Sequence, residues 1–250
     1  MNIQKVFDDF RQKPGRYQKF LTKFGRDLKG IQIETLEQFR NVIDQIQVKD
    51  DGKDDGIVAR GNARAREIDE ASRRKKFHDH LYFDFGCSDG KLTLEIAKQL
   101  KIPTENVYGA DMASFTGVRI NPVLRKQNFE LIEKEGQKLP YNDQTFGLVT
   151  CFQVLHHLQF PELAIAEFHR ILRKDGMLII REHDAREEDK RLIDFEHLIY
   201  PHENIEQTYI GNYHQASEWD RMMLKHGFVA FGFTMTKGET FYYTQSYLKI

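Results

Sequence analysis

Three groups of residues have the types and spacing to do chemistry. The first is the stretch His80-Leu-Tyr-Phe-Asp-Phe-Gly-Cys-Ser-Asp-Gly-Lys91, in which an acid, Asp84, closes an apolar run and Gly86 and Gly90 bracket a turn. Glycine has no β-carbon, so a ligand can lie against bare backbone there. A helix that starts after the turn aims its unpaired N–H groups at the same spot. The second is Asp111, twenty-one residues after Gly90 at the end of another apolar run. A carboxylate so placed accepts the hydroxyl hydrogens of a ribose. The third is a set of imidazoles and acids, His156-His157 and Arg181-Glu-His-Asp184. Histidine titrates near neutrality and suits proton removal, which makes His183, Asp184 and His156 the candidate catalytic groups.

Each group also has a plainer reading. One of His156 and His157 can simply cap or pack a short helix, and Glu182, His183 and Asp184 with a nearby histidine could hold a divalent metal; no metal is part of the expected site. The turn with Asp111 points to a ligand that contains a nucleoside. It does not match the dinucleotide dehydrogenases, because G-x-G-x-x-G is absent and Cys-Ser-Asp separates Gly86 from Gly90.

The elements that must position these groups follow from periodicity and punctuation. Apolar residues at helical spacing predict helices within 3–47, broken by Pro14-Gly15 and Gly30, before a polar, glycine-broken stretch 48–56 that marks a boundary. A helix over 57–77 leads into the first strand. Helices over 92–100 and 161–173 alternate with strands over 106–111, 129–132, 146–152 and 176–181. Such alternation implies a parallel sheet with helices on both faces. Ser217-Glu-Trp-Asp220 reads as a capping box for a helix that buries Trp219 and Met223 and stops at Gly227. Strands over 228–235 and 240–248 are too close for a crossover helix and should pair antiparallel. About thirty residues rich in Glu, His and Tyr precede that last helix. A connector so long is expected to be a lid or acceptor-binding insertion, over about 185–215, with Tyr200, His202, Tyr209 and Tyr213 lining the pocket.

Composition bounds the function classes. With 250 residues and 19 phenylalanines the chain can bury one large domain. No apolar run approaches the ~18–20 residues needed to cross a bilayer, and 1–10 has no signal-peptide core, so a soluble, cytoplasmic protein is expected. Cys87 and Cys151 make no disulfide framework. The net charge is −1, yet residues 1–30 carry eight Lys/Arg against three acids and residues 57–78 seven against three. Such runs could meet phosphates, although a solvated helix face accounts for either one.

Beyond the residues themselves, the chain resembles the class I S-adenosylmethionine-dependent methyltransferases, in particular their ubiquinone/menaquinone-biosynthesis-like branch. Asp84-Phe-Gly-Cys-Ser-Asp-Gly90 resembles that family's D-x-G-C-G-x-G loop. Lys138-Leu-Pro-Tyr-Asn-Asp-Gln-Thr-Phe-Gly-Leu-Val149, Val154-Leu-His-His-Leu158 and Ala166-Glu-Phe-His-Arg-Ile-Leu-Arg-Lys-Asp-Gly-Met-Leu178 are similar to its later motifs. The likeness is close over 80–183 and looser to 250. It implies a doubly wound, Rossmann-like α/β fold with a mostly parallel seven-stranded sheet and an antiparallel final strand. Residues 1–56 would be a helical N-terminal extension with an acidic linker, and 57–250 the methyltransferase domain. It also implies S-adenosyl-L-methionine as cofactor. Asp84, Gly86, Cys87 and Gly90 would surround the methionine part, Asp111 the ribose, Met112 and Glu135 the adenine, and Phe152 and Gln153 would face the sulfonium. Two residues depart from the pattern. Ser88 replaces a glycine, which the loop tolerates if its backbone is not left-handed, and Gly147 replaces an aspartate, which would loosen the entry into the fourth strand.

The expected function is methyl transfer to an O or N nucleophile of a small molecule. RNA is the competing acceptor, favoured by the basic runs. A nucleotide-dependent oxidoreductase, and a non-catalytic cofactor-binding subunit that meets a protein partner through its N-terminal helices, are the readings from other classes.

Overall fold

The computed structural model describes residues 55–111, 125–128 (backbone), 138–187, 190, 193, 211–235 and 242–250. Residues 54–186 and 204–250 belong to one compact unit, and Glu187, Lys190 and Ile193 to another. The expectations for the N-terminal helices, Met112, Glu135, Tyr200, His202 and Tyr209 lie outside the described residues.

Helix α1 (Asp55–Ala71) precedes strand β1 (Tyr82–Phe85), then α2 (Lys91–Gln99), β2 (Val107–Asp111), β3 (Arg125–Asn128), β4 (Phe146–Phe152), α3 (Pro161–Ile171), β5 (Leu172–His183), α4 (Ala216–Lys225), β6 (Phe228–Met235) and β7 (Tyr242–Lys249). The strands form one mixed sheet in the order β3-β2-β1-β4-β5-β7-β6. β1 is parallel to β2 and β4, β2 to β3, and β4 to β5. β7 runs antiparallel to both β5 and β6.

Side-chain alternation sends β1, β4 and β5 into two cores. Tyr82, Leu148 and Ile179 meet Ile68 of α1 and Ile96 and Ala97 of α2. Phe83, Val149 and Ile180 meet Ile165 and Phe168 of α3 and Trp219 and Met223 of α4. Burial on both faces is why these strands read as continuous apolar runs. The strand order reverses between β1 and β4, and the crevice beyond the carboxyl ends of strands at such a switch point is where ligands sit in open α/β sheets.

The structure moves several expected boundaries. Helix α1 ends at Ala71, not 77, because Arg73 and Arg74 take left-handed φ angles of 51° and 63° and turn the chain toward β1. A strand is present at Arg125–Asn128, where among the described residues it pairs with β2; the strand expected over 129–132 lies outside the described residues. Helix α4 is capped two residues earlier than expected, by Gln215 with Glu218 in the third helical position.

At Gly147 the entry into β4 is irregular: the pairing with β5 shifts register between Phe146 and Leu148, and the N–H groups of Gly147 and Leu148 both donate to the Leu81 carbonyl. Gly147 is buried in the strand, and a β-carbon there would come within 2.3 Å of His80 Nδ1. The glycine makes room for an imidazole.

Candidate active site

The first wall of the crevice is the turn after β1. Gly86 and Cys87 donate their N–H groups to the Ala110 carbonyl of β2, at 2.8 and 3.1 Å. Gly86 has φ +84°, and a β-carbon on it would lie 2.1 Å from Val154 Cγ2; here glycine is required twice, by backbone angle and by the β4 loop packed on it. Gly90, at φ 77°, is the N-cap of α2. Ser88 has φ 48°, so the condition stated for its tolerance is not met. A side chain stands where left-handed backbone costs about 1–2 kcal/mol. What holds it is its N–H, which donates to the Asp111 carboxylate.

Asp111, at the end of β2, is 9% exposed and so sits at the crevice, tied to the turn. Asp84 is deeper. Its two oxygens accept the hydroxyls of Thr150, at 2.6 Å, and of Thr93 on α2, and Tyr82 shares the Thr150 hydroxyl at 3.0 Å. Burial pushes the Asp84 carboxyl up to about 6, against the pull of the two hydroxyls. This cluster pins α2 to β1 and β4, and the sequence reading missed both threonines. Thr93 reaches Asp84 from nine residues on, across the turn, whereas Thr150 is brought to it by the pairing of β1 with β4. Cys87 and Cys151 are buried thiols, and burial raises that of Cys151 well above its ordinary value.

The second wall is the loop after β4. Phe152 and Gln153 are half-buried; Gln153 has φ 59° and donates its N–H to the Arg181 carbonyl of β5 at 2.7 Å. A short 3-10 turn, Leu155–His157, follows. Glu182, fully buried, accepts the N–H groups of Val154 at 3.1 Å and Leu155 at 2.9 Å on Oε1, while its Oε2 lies 2.6 Å from His156 Nδ1. The His183 ring meets His156 edge-on at 4.8 Å, and Tyr213 stacks on His156 at 5.4 Å. Tyr242 packs on His183 at 4.6 Å.

Of the three catalytic candidates the fold brings together His156 and His183 and separates Asp184. The Asp184 carboxylate accepts the Ala216 N–H at 2.9 Å, at the first turn of α4, where an acid suits both the unpaired amides and the helix dipole. Of the expected acceptor-lining residues only Tyr213 is described, and it is buried against the two histidines. Among the described residues no group of three or more His, Cys, Asp or Glu is arranged to hold a metal ion.

The Leu139-Pro-Tyr141 segment is fixed by α3. Glu167 accepts the Leu139 N–H at 2.7 Å and pairs with Arg170, which donates to the Tyr141 and Leu139 carbonyls at 2.7 and 2.9 Å. The two charged residues of the α3 motif therefore bind the loop that the preceding motif forms.

A family model for a methyltransferase domain matches residues 83–180. The chain is 31% identical over 120 residues to a demethylmenaquinone methyltransferase of Lactobacillus johnsonii, covering 44% of this chain and 49% of that protein. It is 30% identical over 109 residues to the ubiquinone/menaquinone biosynthesis C-methyltransferase UbiE of Campylobacter jejuni, covering 42% and 45%. The chain thus spans about half the length of the curated relatives it matches. The PH0226 protein of Pyrococcus horikoshii superimposes with a TM-score of 0.53 at 15% identity, over 76% of this chain and 91% of that one, a likeness of fold alone. Over residues 83–180 the chain matches a methyltransferase domain, and it is similar to methyltransferases of ubiquinone and menaquinone biosynthesis.

Proposed function

We propose that the protein transfers a methyl group from S-adenosylmethionine to a small-molecule acceptor. The observation that carries this is the crevice between β1 and β4, with a bare-backbone turn tied to Asp111 on one side and the His156–His183 pair on the other. The residues fit the cofactor. Gly86 and Gly90 leave backbone uncovered, and Asp111 is held in place by the Ser88 N–H. In this reading Asp84, Gly86, Cys87 and Gly90 surround the methionine part, Asp111 holds the ribose, Met112 and Glu135 serve the adenine, and Phe152 and Gln153 face the sulfonium.

The cofactor supplies a methyl on a good leaving group. The chain's own work is alignment and exclusion of water, together with taking up the proton of an acceptor that keeps it until attack. His183 and His156 are the groups for that proton, and Asp184 is reassigned to capping α4. Nucleophile O or N is the expectation from sequence; the relatives named as C-methyltransferases support carbon beside them. The wider architecture belongs to the same proposal: a seven-stranded, doubly wound core over 57–250, a lid over about 185–215, and a helical extension 1–56 that meets a protein partner.

RNA is the second reading, favoured by the basic run Arg73-Arg74-Lys75-Lys76. That run precedes β1 and so lies at the amino end of the strand, away from the crevice, which counts against it as the guide for an acceptor.

Calorimetry with S-adenosylmethionine, S-adenosylhomocysteine and NAD tests the cofactor; NAD binding alone would overturn the reading. Transfer of labelled methyl into a metabolite extract, and not into total RNA, is expected. Label only in RNA would replace the small molecule, and none in either would leave a non-catalytic subunit.

A further inference from the structure

Glu182 is not among the expected catalytic or cofactor-binding residues and lies two positions beyond the matched domain, which ends at 180. We propose that it is the positioning residue of the acceptor side of the crevice, fixing the β4 loop and the tautomer of His156 with one carboxylate; this rests on the methyltransferase reading above.

The geometry divides the carboxylate into two tasks. Oε1 takes the N–H groups of Val154 and Leu155, so the loop that packs on Gly86 is anchored from β5. Oε2 faces His156 Nδ1 at 2.6 Å. A carboxylate has no hydrogen to offer, so the proton of that bond is on Nδ1, and a proton taken up by the ring goes to Nε2. The rest of the surroundings immobilise the same ring. Tyr213 stacks on it, the Asn212 N–H donates to the His156 carbonyl at 2.8 Å, and His183 meets its edge. Both Glu182 and His156 are fully buried, and a buried, fully partnered carboxylate holds an imidazole in one orientation. The left-handed Gln153, bonded to the neighbouring Arg181 carbonyl, bends the chain so that these amides reach Glu182.

The decisive variant is Glu182→Gln. Its amide oxygen still serves the two loop N–H groups, which leaves its NH2 facing His156 Nδ1. The proton must then move to Nε2.

The experiment uses the full chain labelled with 15N-histidine and saturated with S-adenosylhomocysteine, read by two-bond 1H–15N spectra. Wild type should show His156 with the proton on Nδ1 and Glu182→Gln with the proton on Nε2, at unchanged S-adenosylhomocysteine affinity. With 1,4-dihydroxynaphthalene as probe acceptor, kcat should fall about 10²–10⁴-fold at similar KM, with an altered pH profile. A wild-type proton on Nε2, an unchanged tautomer in the variant, or wild-type kcat with the wild-type pH profile would overturn the proposal. Lowered kcat with the same tautomer and pH profile would also overturn it, leaving a structural role. If wild type binds cofactor but leaves the probe unmethylated, the tautomer alone decides. Failure to bind S-adenosylmethionine or S-adenosylhomocysteine sinks the methyltransferase reading instead, and the tautomer result is then read on the unliganded chain.

Discussion

Asp84 is 6% exposed, both its oxygens are taken by threonine hydroxyls, and burial lifts its carboxyl from 3.8 to about 6. A carboxyl raised in the folded state favours folding when protonated. Its contribution is fully present below pH 3.8 and is lost as the pH rises through 6, amounting to roughly 3 kcal/mol for a shift of about two units. Urea melts of Asp84→Asn, which cannot ionise, should show a flatter stability profile than wild type between about pH 4 and 7. A profile parallel to wild type would mean that another group sets the dependence. At Ser88 the strain is in the backbone: its φ is 48°. Ser88→Gly should be neutral or slightly stabilising, whereas Ser88→Val, β-branched at a left-handed position, should cost about 1–3 kcal/mol in the same melts.

Strands and helices here are joined by exchanges between specific side chains rather than by apolar contact alone. Gly147 and His80 are one such exchange, since a β-carbon at 147 would lie 2.5 Å from His80 Cγ and 2.7 Å from its Cβ. Gly147→Ala should destabilise by about 1–3 kcal/mol through overpacking. Adding His80→Ala should restore part of that loss, giving a non-additive cycle in denaturant melts; strict additivity would separate the two sites. The Glu167–Arg170 pair on α3 plays a similar part for the Leu139–Tyr141 loop. Asp184 with Ala216, and Gln215 with Glu218, fix the start of α4.

On the scale of the whole molecule, the sheet separates two chemistries. The proposed cofactor crevice opens at the carboxyl ends of β1, β4 and β5. The exposed cations Arg73, Arg74 and Lys76 lie at the amino end of β1. Their neighbour Lys75 reaches across that end to the carbonyl of Asp175. A ligand that binds only the folded state stabilises it by mass action. S-adenosylhomocysteine at about 100 times its Kd should add about 2.7 kcal/mol, a rise of roughly 5–10 °C in Tm for a domain of this size. NAD at the same concentration should leave Tm unchanged.

The strand–turn–helix around Gly86, the alternation that follows it and the closing antiparallel pair were legible in the sequence. Each is a local property, carried by period and glycine placement within a few residues. Buried strands such as β4 declared themselves by mostly apolar runs; Arg125–Asn128, which among the described residues pairs with β2, has no such run. The identity of the site's partners was another matter. Asp84 and Thr150 are 66 residues apart, and Tyr82 meets Thr150 across 68. Glu182 meets His156 across 26. Only pairing β1 with β4 and β4 with β5 makes these residues neighbours, because register is a property of two strands and not of either one. Asp184 shows the converse. By type and position it read as a base beside His183, and the strand end turned it instead to the first amide of α4. Sequence alone determined that a glycine-bounded turn follows an apolar strand and that an acid, Asp111, closes the next one. Tertiary structure decided which side chains the walls of the crevice contain, since hydrogen-bonding partners are chosen by distance in space.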